Sequence, residues 1–116
     1  MPRAARTEAH VVVISWRDIP AQVNGQAGRD RHQVLLSAKF QRAIDRAKRK
    51  ARIVTAQEDV AQWRRVTLPA ADDPAGAAER EAARLEDAYS TARLGTIAFG
   101  GGWEQPAEGK DTEGEL

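Results

Sequence analysis

Residues 10–23, HVVVISWRDIPAQV, decide the fold of this chain. The β-branched side chains of residues 11–14 pack well in a pleated sheet. Because the run is apolar with almost no alternation, it predicts a strand that is buried on both faces. Pro20 lacks an N–H and places the next segment after a break or on a sheet edge. We therefore expect a hairpin between residues 10–17 and 20–26.

Helical patterns follow this hairpin. Apolar residues recur at helical spacing over residues 35–52, where Phe40 and Ile44 are the expected structural anchors. A capping box, Thr55 with Glu58, predicts a second helix over residues 56–65.

Trp63 is expected as a structural residue on the apolar face of this second helix. Asp73 followed by Pro74 is a typical helix start, and it predicts a third helix over residues 74–94 that stops at Gly95. Residues 96–99 could add a last short strand.

The predicted fold class is α+β, with a short sheet of two to three strands packed by helices. An additional long C-terminal helix and a disordered acidic tail complete it. The predicted organisation is a disordered arm at residues 1–9, an α+β domain at 10–68, a linker and C-terminal helix at 69–95, and a Gly-rich acidic tail at 96–116.

Composition limits the class of protein. A chain of 116 residues without cysteine is one small domain that has no disulfide or thiolate metal site. The N-terminus has no apolar segment long enough for a signal peptide or a membrane span, so we expect a cytoplasmic protein with no membrane contact. The formal net charge of +1 conceals a basic segment, residues 29–52, and an acidic one, residues 72–116.

The corner of the hairpin is the first candidate site. Arg17 beside Trp16 could bind an anion or a carboxylate, with Asp18 orienting the guanidinium and Gln22 on the same surface. Alternatively, Asp18 and Arg17 stabilise the corner through backbone hydrogen bonds while Trp16 fills the core and Pro20 breaks the strand.

The basic helix is the second candidate. Arg42, Arg46 and Arg49 repeat on the side opposite the apolar stripe, and they could contact a partner protein or phosphates. The alternative is a solvated face on which Asp45 pairs with Arg49. Nucleic acid is the less favoured partner because the segment lacks interleaved aromatic residues.

No catalytic residue, metal ligand set or cofactor motif is evident. His10 and His32 are not spaced with carboxylates as metal ligands are, and no serine lies in a nucleophile motif. Residues 100–102 are three glycines, but no helix follows that could hold a phosphate. Trp103 in the acidic tail could dock onto a partner or back onto the domain.

The string WRDIPAQV at residues 16–23, followed by Phe40, AIDRA at residues 43–47 and Trp63, resembles the small bacterial virulence factor domain. The resemblance covers residues 10–66. That domain also occurs in larger proteins called conserved virulence factor C, alongside helical repeats. The resemblance carries no catalytic residues, so none is assigned here.

These observations favour a non-catalytic cytoplasmic module that binds a protein partner through residues 16–22 and the basic helix. The alternative is an accessory subunit, or a protein that binds a small anionic ligand or cofactor through Arg17 and Asp18. Nucleic-acid binding through the basic helix is the third hypothesis. The sequence does not define the oligomeric state.

Overall fold

A computed structural model describes residues 9–70 and 73–104. Its elements in chain order are β1 (His10–Trp16), β2 (Ile19–Ala27), β3 (Asp30–Leu35), α1 (Ala38–Ala51), α2 (Ala56–Val60), β4 (Trp63–Pro69), α3 (Pro74–Ala88) and α4 (Thr91–Phe99).

The four strands form one antiparallel sheet in the order β3-β2-β1-β4. Helices cover one face, since Val11 and Val13 of β1 share a core cluster with residues of α1, α3 and α4. Alternate residues point to the other face, here called the open face because none of the described helices packs on it. Val12 is nevertheless buried there, while β3 presents exposed Arg31, Gln33 and Leu35. The α+β class is confirmed, but the sheet has more strands than the two to three expected.

The fourth strand replaces the end of the predicted helix 56–65. The capping box at Thr55 is confirmed, yet α2 ends at Val60, whose side chain is 68% exposed. Trp63 opens β4, which pairs with the whole length of β1. The aromatic and β-branched residues of WRRVTLP suit a strand, and pairing along β1 outweighs the continuation of a short, weakly amphipathic helix.

The predicted helix 74–94 is two helices. Asp73 caps α3 through the N–H groups of Ala75 and Gly76, as expected. Tyr89 is extended, however, and the Ser90 side chain accepts the Arg93 N–H to start α4.

Gly95 therefore lies inside a helix and does not end one. The short strand expected at residues 96–99 is the last turn of α4, where Ile97 and Ala98 are buried in the core. Residues 100–104, which were expected to be disordered, are structured, and residues 105–116 of the predicted tail lie outside the described residues.

Other boundaries shift less. β3 includes Leu35, the predicted first residue of the helix over residues 35–52, so α1 begins after Ser37. Phe40 and Ile44 are buried between the sheet and the other helices, and Phe40 packs against Tyr89 with the ring centroids 5.9 Å apart. Gly25 lies inside β2, although the dipeptide Asn24-Gly25 is typical of a turn.

Gly25 permits the close contact between the sheet and α3. A methyl group built on it would collide with the backbone of Pro74 and would come within 3.2 Å of Ala78 Cβ. Gly95 differs, since the nearest atom to its built Cβ is Arg46 Nη1 at 3.9 Å.

We predict opposite effects for alanine at these two glycines. Gly25→Ala forces α3 away from the sheet and lowers the free energy of unfolding by about 1–3 kcal/mol. Gly95→Ala raises it by about 0.5–1 kcal/mol, because alanine is the better residue in a helix interior. Urea denaturation of both variants measures this, and equal stability of the two would contradict the packing of α3 on β2.

Candidate functional site

The predicted corner is the turn between β1 and β2. Arg17 and Asp18 form the turn, and Arg17 adopts a positive φ of 53°. Trp16, the last residue of β1, is 0% exposed. Its indole Nε1 donates to Asp59 Oδ1 at 2.8 Å, and Lys48 Nζ lies 2.9 Å from the same oxygen. Trp16 therefore contributes to the core, and its one polar atom is satisfied inside the protein.

The guanidinium of Arg17 is held on several sides. Its Nε donates to Gln62 Oε1 and its Nη1 to the Gly101 carbonyl, both at 2.9 Å. The rings of Trp16 and Trp103 lie on it, each with its centroid 5.1 Å from Cζ. Arg17 thus links the hairpin to the α2–β4 loop and to the C-terminal turn.

Asp18 is also bound within the chain. Its Oδ1 accepts from Arg64 Nη1 at 2.8 Å and its Oδ2 from the Glu104 N–H at 2.9 Å. The Asp18 N–H donates to the Gly102 carbonyl at 2.8 Å. Both charged side chains of the corner therefore stabilise the fold.

Two further residues of the predicted surface lie on β2. Pro20 is buried, and Gln22 is on the open face of the sheet, where its amide donates to Asn24 Oδ1 at 3.3 Å. Gln22 does not lie beside the side chains of the corner in the structure. A role of residues 16–22 in binding stays a prediction.

The C-terminal turn, residues 100–104, packs against the corner and was not predicted as part of the site. Gly101 and Gly102 have φ values of 75° and 99°, which favour glycine. A Cβ on Gly102 would lie 2.8 Å from Trp16 Cζ3. The signal was present in the GGGW string, because consecutive glycines permit close approach of the backbone to an aromatic ring. Of the two hypotheses for Trp103, its contact with Arg17 supports docking back onto the domain.

A cleft of about 300 Å³ opens beside the corner. Its lining residues are Ser15, Arg17, Asp18, Arg64, Val66, Tyr89 and Glu104. The hydrogen bonds from Arg93, whose Nε lies 2.7 Å from Glu104 Oε2, lower the pKa of the Glu104 carboxyl. Burial raises the pKa of the Tyr89 hydroxyl. The carboxylates of the cleft are already bonded to arginines, and Trp16 and Trp63 do not line it.

Trp63 lies at the start of β4, 38% exposed, with its ring centroid 5.9 Å from Lys48 Nζ.

The predicted basic face is exposed on α1. Arg42, Arg46 and Arg49 have no ion pair with any residue that the structure describes. Within the part of the chain that the structure describes, Asp45 does not form the expected ion pair with Arg49. Its Oδ1 instead accepts a hydrogen bond from Gln41 Nε2 at 2.9 Å. A strip of positive charge is therefore left open to solvent.

Within residues 9–70 and 73–104, no group of three or more His, Cys, Asp or Glu side chains is placed to hold a metal ion. None of the helices in that part of the chain is both long and apolar enough to cross a bilayer.

The model of the virulence factor family matches residues 14–98. The chain belongs to the virulence factor family. The resemblance is confirmed, but the match begins at residue 14 and continues past residue 66 to include α3 and nearly all of α4. For this virulence factor domain, neither the curated proteins nor the solved structures contain a match.

The Asp59 carboxylate makes the stability of this virulence factor domain depend on pH. The hydrogen bond from Lys48, aided by that from Trp16, lowers the Asp59 pKa below its ordinary value of 3.8. Because the carboxylate is favoured in the folded state, its contribution is present above pH 3.8 and is lost as the pH falls through the lower folded-state pKa.

We predict that Asp59→Asn is less stable than the parent at neutral pH, and that the difference shrinks below pH 3.8. The variant keeps the Oδ1 acceptor for Trp16 and removes only the charge and its pairing with Lys48. Urea unfolding across this pH range measures both curves. A stability difference that is constant with pH would rule out the charged contact.

Proposed function

We propose that this virulence factor domain is a non-catalytic module that binds an acidic surface of another protein through one face of α1 and α4. The observation that carries the proposal is the row of exposed arginines on α1 with no acidic partner among the described residues. We define the α1/α4 surface as Arg42, Arg46, Arg49, Lys50 and Phe99.

The packing of α4 on α1 keeps this surface basic. α4, TARLGTIAF, has no Asp or Glu to neutralise α1. The Arg46 side chain lies beside Gly95 of α4, and Arg42 and Arg46 line a groove with Thr91 and Leu94. Complementary charge of this kind steers a partner and sets specificity.

Phe99 supplies an apolar contact on the same surface. Its side chain is 73% exposed, and Lys50 Nζ lies 4.3 Å from the ring centroid. Exposed aromatic rings and arginines are the residues in which protein interfaces are enriched. A charged rim around one aromatic side chain therefore supports a protein partner.

The alternative, a protein that binds a small anionic ligand, is supported by the cleft beside the corner, where Arg17 and Arg64 are present. Its volume of about 300 Å³ is at the lower end for a ligand site. Asp18 and Glu104 already pair with arginines there, so an added anion would compete with them. The charge of the α1/α4 surface, in contrast, is open to a partner.

The test is a quantitative pull-down from the native host with the parent protein and with Arg46→Gln/Arg49→Gln. We expect the parent to recover one acidic protein in near-stoichiometric amount, and the variant to lose at least about 90% of it, equivalent to a tenfold loss of affinity. Mass spectrometry identifies and quantifies the protein.

Arg29→Gln/Arg31→Gln is the matched control, because it removes the same charge from exposed arginines at β3. It should recover the partner as the parent does. Nuclease treatment is the second control: recovery that disappears with nuclease would indicate nucleic acid, which the arginines could also contact. Equal recovery by both double variants would contradict the α1/α4 surface.

A further inference from the structure

The outer edge of β4 is open. β4 is the last strand in the sheet order, and no strand within residues 9–70 and 73–104 pairs with its far side. Five consecutive residues of β4, from Trp63 to Thr67, are exposed. An edge of this kind offers unpaired backbone groups to another chain.

The register shows which backbone groups are free. The Arg17 N–H donates to the Gln62 carbonyl and the Ala70 N–H to the Ala9 carbonyl, at the two ends of the β1–β4 ladder. Bonded and non-bonded pairs alternate in an antiparallel ladder, so the even-numbered residues between Gln62 and Ala70 bond to β1. The backbone groups of the odd-numbered residues Arg65 and Thr67 therefore point away from β1. These two residues can bond an added strand.

The two sides of β4 differ in chemistry. On the open face of the sheet, Arg65 has no ion pair with a described residue, and its neighbours across the strands are Ile14 and Gln22. No Asp or Glu of the four strands lies near it on that face. An added strand would therefore place acidic side chains there.

On the helix-covered side, β4 borders a cleft whose sheet side is apolar. Its volume is about 310 Å³, and it is lined by Val11, Leu68 and Pro69 of the strands and by Ala77, Arg80, Glu81 and Arg84 of α3. Val66, which is 47% exposed, lies two residues before Leu68 on the same side of β4. Alternate side chains of an added strand would enter this side, and apolar ones fit it.

We propose that the edge of β4 binds an extended segment of a partner protein in which acidic and apolar residues alternate, by addition of a strand to the sheet. The backbone of Arg65 and Thr67 supplies the hydrogen bonds. The Arg65 side chain pairs with acidic side chains of the segment on the open face, and the cleft beside Val66 and Leu68 accepts its apolar side chains on the helix-covered face. This surface is separate from the α1/α4 surface and does not depend on it.

The probe is a fluorescein-labelled peptide of about nine residues in which glutamate alternates with valine, a length that spans a typical strand. We expect binding by anisotropy, together with slower exchange of the Arg65 and Thr67 amide protons. The amides of Arg64, Val66 and Leu68, which face β1, should keep their exchange rates. A peptide with lysine in place of glutamate should bind at least about tenfold more weakly.

Thr67→Pro removes one outward N–H and leaves the ladder to β1 intact, so it should weaken peptide binding about tenfold or more. Thr67→Val, which keeps that N–H, is the control and should bind as the parent does. A peptide N-methylated on its bonding edge tests the same contact without changing the protein, and it should also fail to bind.

Several results would overturn the proposal. Protection of Arg65 and Thr67 that rises with protein concentration alone would assign the edge to a second copy of the chain. Protection of Arg65 and Thr67 that is present without peptide and is lost on removal of residues 105–116 would assign the edge to that acidic segment. Loss of binding in Arg46→Gln/Arg49→Gln would place the peptide on the α1/α4 surface, whereas unchanged binding separates the two surfaces.

Discussion

The side chain of Arg17 joins three parts of the chain that are far apart in sequence. It bonds to the loop before β4 and to the C-terminal turn, and it lies between two tryptophan rings. A guanidinium suits this position because it donates in one plane and stacks on aromatic faces. Sheet, loop and C-terminal turn therefore depend on one residue, and that residue adopts a positive φ of 53°.

The proposed function rests on side chains that this contact does not engage. The corner that is most distinctive in sequence is engaged inside the domain, so its distinctive residues are explained by the fold. Exposed arginines without an ion pair among the described residues lie elsewhere, among them those on α1 and Arg65 on β4. A small domain that is held rigid at one end can present a helix face and a strand edge to different parts of a partner, which is consistent with an interaction module.

Local patterns could be predicted from the sequence, and long-range pairings could not. β1 and the apolar stripe of α1 are evident from single segments, and the caps at Thr55 and Asp73 use adjacent residues. β4 was assigned in part to a helix because its strand character depends on pairing with β1, more than 40 residues away.

The same limit applies to the candidate site. Arg17 and Asp18 were identified because they stand beside Trp16, but their partners Gly101, Gly102 and Glu104 come from the opposite end of the described chain. The basic face was predicted because its residues share one helix. That they lack acidic partners depends on the composition of α4 and on how it packs, which only the structure shows.

The most direct test of this account is the unfolding free energy of Arg17→Gly. Glycine accepts the positive φ without strain, so the substitution would stabilise a residue that only forms a turn. If the Arg17 side chain holds the domain together, the variant instead loses about 2–4 kcal/mol, from two hydrogen bonds by a charged group and two cation–π contacts. Amide protons of Asp18 and Glu104 should then exchange faster. Unchanged or higher stability would contradict the central role of Arg17.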